Sequence, residues 1–172
     1  MNRILIAYFI IALGIFALSN MIEGNVTRFL IITFGNLGML NLALSLVIDK
    51  IPFKNRFISY LSSNKKYIGL GAFFFGFLHA SLVFLNYGPV FSIRNIFGFI
   101  GLTVLSLLFV LSLDFAYLKL KNILKEKVSV LFELSYLAAI FILIHAFFNG
   151  ISIFWVIALS LFIYAIIKKF LR

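Results

Sequence analysis

Long apolar runs separated by short polar breaks fill the chain from end to end. A bilayer core takes roughly 20 apolar residues of helix, and six runs approach that length, at 4–21, 29–48, 67–87, 96–113, 130–148 and 151–167. The two prolines, Pro52 and Pro89, fall between runs, where helices should break. The last two runs are joined by little more than Asn149 and Gly150. The longest polar stretch, 49–66, is too short for a domain, and no internal repeat or low-complexity linker stands out. The pattern predicts an all-α protein, an integral membrane bundle of six transmembrane helices forming one domain over residues 1–172.

Composition agrees with this pattern. The chain is 64% hydrophobic and 12% charged, with a mean hydropathy of +1.17, and no single globular core absorbs that much apolar surface. Charge then sets the orientation. With six spans, thirteen of the 15 basic residues fall on one side: Arg3, Lys50, Lys54, Arg56, Lys65, Lys66, Lys119, Lys121, Lys125, Lys127, Lys168, Lys169 and Arg172. Only Arg28 and Arg94 fall on the other. Positive loops stay in the cytoplasm, so both termini are expected there. The net charge of +10 is then a topology signal with membrane lipid as partner, and nucleic acid is not expected as one. Residues 1–20 also have the basic start, apolar stretch and small-residue end of a signal peptide; cleavage would leave five helices in the same orientation.

Cysteine is absent, which removes disulfides, iron–sulfur clusters, thiolate metal sites and cysteine nucleophiles. The chain has two histidines, His79 and His145, both inside apolar runs. An ionisable group in hydrocarbon is costly and marks a functional site by default. His79 lies thirteen residues beyond Lys66 and His145 eighteen beyond Lys127, so the two sit roughly 20 and 27 Å into the membrane on parallel helices. Helix tilt absorbs the difference, and two imidazoles at similar depth fit both axial positions of a heme iron. Gly69, Ala72 and Gly76 share the face of His79, where they either leave room for a macrocycle or let helices approach closely. Arg94 is a candidate propionate partner at the outer end, with Asn86, Tyr87, Asn95 and Asn149 as nearby donors. A closed zinc site wants four ligands, and neither cysteine nor a carboxylate lies at that depth. A hydrogen bond between helices or a proton path remains the alternative. A proton path would want intramembrane carboxylates, whereas Glu23, Asp49, Asp114, Glu126 and Glu133 lie at or near span ends.

Two segments carry a resemblance. Lys65-Lys66-Tyr67-Ile68-Gly69-Leu70-Gly71-Ala72-Phe73, leading to His79, looks like the third-helix pattern of the ferric reductase-like transmembrane domain family. Tyr136-Leu137-Ala138-Ala139, leading to His145, resembles its fifth-helix pattern. Thr33-Phe34-Gly35 and Leu111-Ser112-Leu113 are weaker echoes. Size and the lack of soluble modules are most similar to the MsrQ-type heme-binding membrane subunits of methionine-sulfoxide reductase systems. Beside Ala72, Gly76 and Arg94, the further candidate cofactor contacts read above, the resemblance implies one heme b with iron ligands His79 and His145. It implies electron transfer from a quinol or a cytoplasmic reductase to an outer-side reductase partner, in a multi-pass protein of a bacterial inner membrane. One departure limits it: the family has a further histidine thirteen residues before His145, where this chain has Phe132. A second bis-histidine heme is therefore not expected, and a heme-free scaffold or assembly protein that retains the fold is the rival expectation.

Overall fold

The computed structural model describes residues 3–21, 25–53, 55–88, 92–125 and 128–171. Glu23, Lys54, Pro89, Glu126, Lys127 and Arg172, which enter the span and charge readings, lie outside the described residues. Every regular element among the described residues is helical. In chain order these are α1 (Arg3–Ser19), α2 (Val26–Val47), a 3-10 turn (Ile48–Lys50), α3 (Arg56–Ser63), α4 (Lys65–Tyr87), α5 (Ile93–Ser112), α6 (Asp114–Leu124), α7 (Val128–Phe132), α8 (Leu134–Asn149) and α9 (Ile153–Phe170).

The six apolar runs all become helix, and five of them are long and apolar enough to cross a membrane: Val26–Lys50, Lys65–Tyr87, Ile93–Ser112, Val130–Asn149 and Ile153–Phe170. The helix of the first run, α1, has 17 residues, a rise of about 26 Å against a core of about 30 Å. The fifth run is interrupted. At Glu133 the chain tightens through i→i−3 bonds, Glu133 N–H to the Val130 carbonyl and Tyr136 N–H to the Glu133 carbonyl, both 3.0 Å, which separates α7 from α8.

Local chemistry fixes the helix ends. Asn25, Asn55, Ser92 and Ser152 each accept a backbone N–H of the first turn of the helix that follows. Gly88 and Gly150 end α4 and α8 at φ 70° and 121°, which other residues adopt only with strain. The polar stretch 49–66 is not plain loop, since it folds into the 3-10 turn and α3. Phe53, Phe57 and Tyr60 are exposed there beside Arg56, the mix of aromatic and basic side chains suited to a membrane interface.

Helices in lipid gain little from hydrophobic burial against one another, so close approach through small residues decides their packing. α2 is the central element, lying along α4 on one side and α9 on another, while α5 pairs with α8. A side chain at Gly38 of α2 would press on Gly76 N at 3.1 Å and the Ala72 carbonyl at 3.3 Å, both on α4. A side chain at Gly101 of α5 would meet Ile142 at 2.7 Å and the Ala138 carbonyl at 3.5 Å, both on α8. The main core gathers Met39, Leu42, Leu46, Leu105, Leu143 and Phe162 around these contacts. A smaller cluster of Ala12, Leu30, Phe34 and Phe75 seats α1, with Phe34 and Phe75 stacked 6.0 Å apart. Trp155 ties α9 to α8 by donating Nε1–H to the Leu143 carbonyl at 2.9 Å.

Candidate functional site

The structure brings the two histidines together. The His79 ring on α4 and the His145 ring on α8 have centroids 6.1 Å apart and planes 77° apart. The depth difference expected from residue counting is absorbed in the packing. His79 lies eight residues before the end of α4 and His145 four before the end of α8, and both helices begin at the lysine-rich end of the bundle.

Each imidazole is held by a main-chain acceptor on the neighbouring helix. His79 Nδ1 lies 2.8 Å from the Ile31 carbonyl of α2, and His145 Nδ1 lies 2.7 Å from the Arg94 carbonyl of α5. A carbonyl oxygen only accepts, so Nδ1 donates in both rings, and in the neutral imidazole Nε2 is then the nitrogen with the lone pair. That is the tautomer of a metal-ligating histidine whose other nitrogen is oriented from outside the coordination shell.

Glycine makes room for both rings. A Cβ on Gly35 would sit 2.9 Å from His79 Nδ1 and 3.2 Å from its Cε1. A Cβ on Gly98 would sit 2.9 Å from His145 Nδ1 and 3.0 Å from its Cε1. Distances near 3 Å leave no room for a methyl group without moving the ring.

These contacts form one device used twice. The accepting carbonyl comes four residues before the glycine, at Ile31 and Gly35 and at Arg94 and Gly98. A second glycine follows three residues later and meets the carbonyl seven residues before the histidine: Gly38 at Ala72, Gly101 at Ala138. The matching segments are Phe34-Gly35-Asn36-Leu37-Gly38 and Phe97-Gly98-Phe99-Ile100-Gly101. An identity of three residues in five does not stand out as an internal repeat until the histidines show that both copies share a register. Gly35, Gly98 and the two carbonyls are site residues that no side-chain motif points to.

The other expected site residues fall as follows. Ala72 and Gly76 share α4 with His79, and their backbones abut Gly38 of α2. Arg94 meets His145 through its carbonyl, with its side chain exposed at the start of α5. Asn149 donates to the His145 carbonyl at 2.8 Å. Among the described residues no group of three or more His, Asp or Glu side chains converges on a point.

The donor set fits a particular kind of group. A metal ion held by one nitrogen of each ring at about 2 Å would need the ring centroids about 6 Å apart. The observed 6.1 Å matches that span. Two protein nitrogens suit an iron whose remaining ligands arrive with it in a macrocycle. No protein-family model matches this chain, and no curated protein or solved structure matches it.

Proposed function

We propose that this chain is a membrane b-type cytochrome holding one bis-histidine heme between α4 and α8. It passes electrons from a quinol or a separate reductase to an acceptor on the outer side of the membrane. The observation that supports this reading is the approach of His79 and His145, with ring centroids 6.1 Å apart and both Nδ1 atoms committed to backbone carbonyls. A heme bound there supplies one-electron redox chemistry. His79 and His145 present Nε2 as ligands, and the Ile31 and Arg94 carbonyls hold the rings in the ligating tautomer. Gly35 and Gly98 set how near α2 and α5 come to each ring. The exposed Arg94 guanidinium is the cation for a propionate. Phe132, thirteen residues before His145, offers no nitrogen, so one such heme is the capacity of the chain.

The reading includes six spans with both termini in the cytoplasm of a bacterial inner membrane. It is supported by the gathering of lysines at the end of the bundle away from the histidines. The resemblance of the α4 and α8 segments to ferric reductase-like transmembrane domains agrees with it, and an outer-side reductase is the acceptor that resemblance suggests. A reduced-minus-oxidised spectrum of the protein, purified after expression with ample heme, tests the proposal. Low-spin b-type bands at one heme per chain are expected, and a colourless, folded protein overturns it in favour of a heme-free scaffold.

A further inference from the structure

The end of the bundle away from the histidines holds a cavity of about 690 Å³. Lys50 at the end of the 3-10 turn that follows α2, Lys65 and Lys66 at the start of α4, and Lys168 and Lys169 at the end of α9 line it. Asp49 and Glu133 also line it, pairing with Lys65 at 2.7 Å and with Lys169. Five ammonium groups against two carboxylates leave the rim cationic. Deeper in, the wall is apolar and includes Leu105, Phe73 and Phe109, the two rings stacked 4.5 Å apart.

Topology alone does not account for this arrangement. The positive-inside bias asks for cations at this end of the helices. It does not ask lysines at positions 50, 66 and 168 to converge from three helices on one hole, where like charges repel across a partly apolar space. Lys168 lies over the Tyr164 ring at 5.8 Å, and Lys50 donates to the Leu46 carbonyl and the Tyr136 hydroxyl, both at 2.6 Å. A second observation concerns the two oxygens of Asp49: Oδ2 pairs with Lys65, while Oδ1, on the cavity lining, is itself covered and has no hydrogen-bond partner among the described residues, although the side chain as a whole is 41% exposed. A buried acceptor without a donor is costly, and a ligand hydroxyl relieves it.

We propose that this cavity binds the phosphate-bearing headgroup of an anionic amphiphile. The phosphate sits among the lysines, Asp49 accepts from a headgroup hydroxyl, and the apolar part runs toward Phe73 and Phe109. Basic pockets between helices at this membrane level suit acidic phospholipid headgroups, and the volume lies in the range of small-molecule sites. The site is separate from the histidine pair: along α4, His79 lies six positions beyond Phe73, about 9 Å of rise.

The test uses the full chain in neutral detergent, with native mass spectrometry and thermal unfolding as readouts. Phosphatidylglycerol should be retained at least ten-fold better than phosphatidylcholine and should raise the melting temperature. The variant K66Q/K168Q should lose that preference, while K119Q/K121Q, altering exposed lysines of α6 away from the cavity, should keep it. If K66Q/K168Q fails to fold by circular dichroism, K168Q alone should still lower retention several-fold. Glycerol 3-phosphate supplies the same chemistry without tails. Lysine-dependent stabilisation by it assigns the site to a soluble phosphate ester, and its failure beside retained phosphatidylglycerol assigns the site to lipid. Equal retention of the two lipids together with no effect of glycerol 3-phosphate overturns the proposal, as does unchanged binding by the folded lysine variants.

Discussion

At the histidine end, α2 with α4 and α5 with α8 repeat one arrangement closely, with carbonyl contacts of 2.8 and 2.7 Å and glycine contacts of 2.9 Å in both. At the lysine end, the same four helices diverge. The positions thirteen residues before the histidines are Lys66 and Phe132, and both line an open cavity with a charged rim. One end is tight and nearly duplicated, and the other is open, unequal and lined by five lysines. The contrast teaches that small residues fix geometry where two rings must meet, while the inner end is free to specialise. Packing against glycine is intolerant of change, whereas exposed ion pairs are worth little.

Substitutions measure how deep that contrast runs. The largest effect is expected at the histidines: His79→Ala or His145→Ala should abolish the low-spin b-type spectrum, and an unchanged spectrum in either would reassign the ligands. Next come the glycines. Gly35→Ala and Gly98→Ala should each broaden or shift the heme bands and cost about 1–3 kcal/mol of stability through overpacking. The two losses should be similar in size. Gly14→Ala, where an added methyl meets nothing within 4 Å, should leave both spectrum and melting temperature unchanged. A strong effect at one glycine and none at the other would break the duplication.

The inner end should respond weakly. Phe132→His should leave the heme content at one per chain; a rise toward two would show that the inner end still shares the outer plan. Tyr136→Phe removes a 2.6 Å bond from Lys50 and should cost about 1 kcal/mol in thermal unfolding, with the heme spectrum intact. Smallest of all, Asp49→Asn breaks an ion pair whose side chains are each 41% exposed, and should cost under about 1 kcal/mol.

Much of this was legible in the sequence. Run lengths located the helices of all six apolar stretches, because a continuous apolar helix is the simplest way to satisfy a backbone in lipid. The approach of His79 to His145 was legible from parallel spans and depth. Three features were not. The break at Glu133 leaves the apolar run unbroken in composition, so periodicity passes through it. His145 is also held by the Arg94 carbonyl, and sequence motifs report side chains, not carbonyls. The lysine cavity depends on residues 50, 66 and 168 meeting in space, whereas the charge count could only assign them to the same side.

The repeated Phe-Gly-x-Leu/Ile-Gly segment divides the site into halves. The two helix pairs meet at the histidines, and at the other end both border one cavity. Each pair brings one glycine groove and one imidazole held within that pair. A change that parts the pairs therefore separates the rings while leaving each in its own groove.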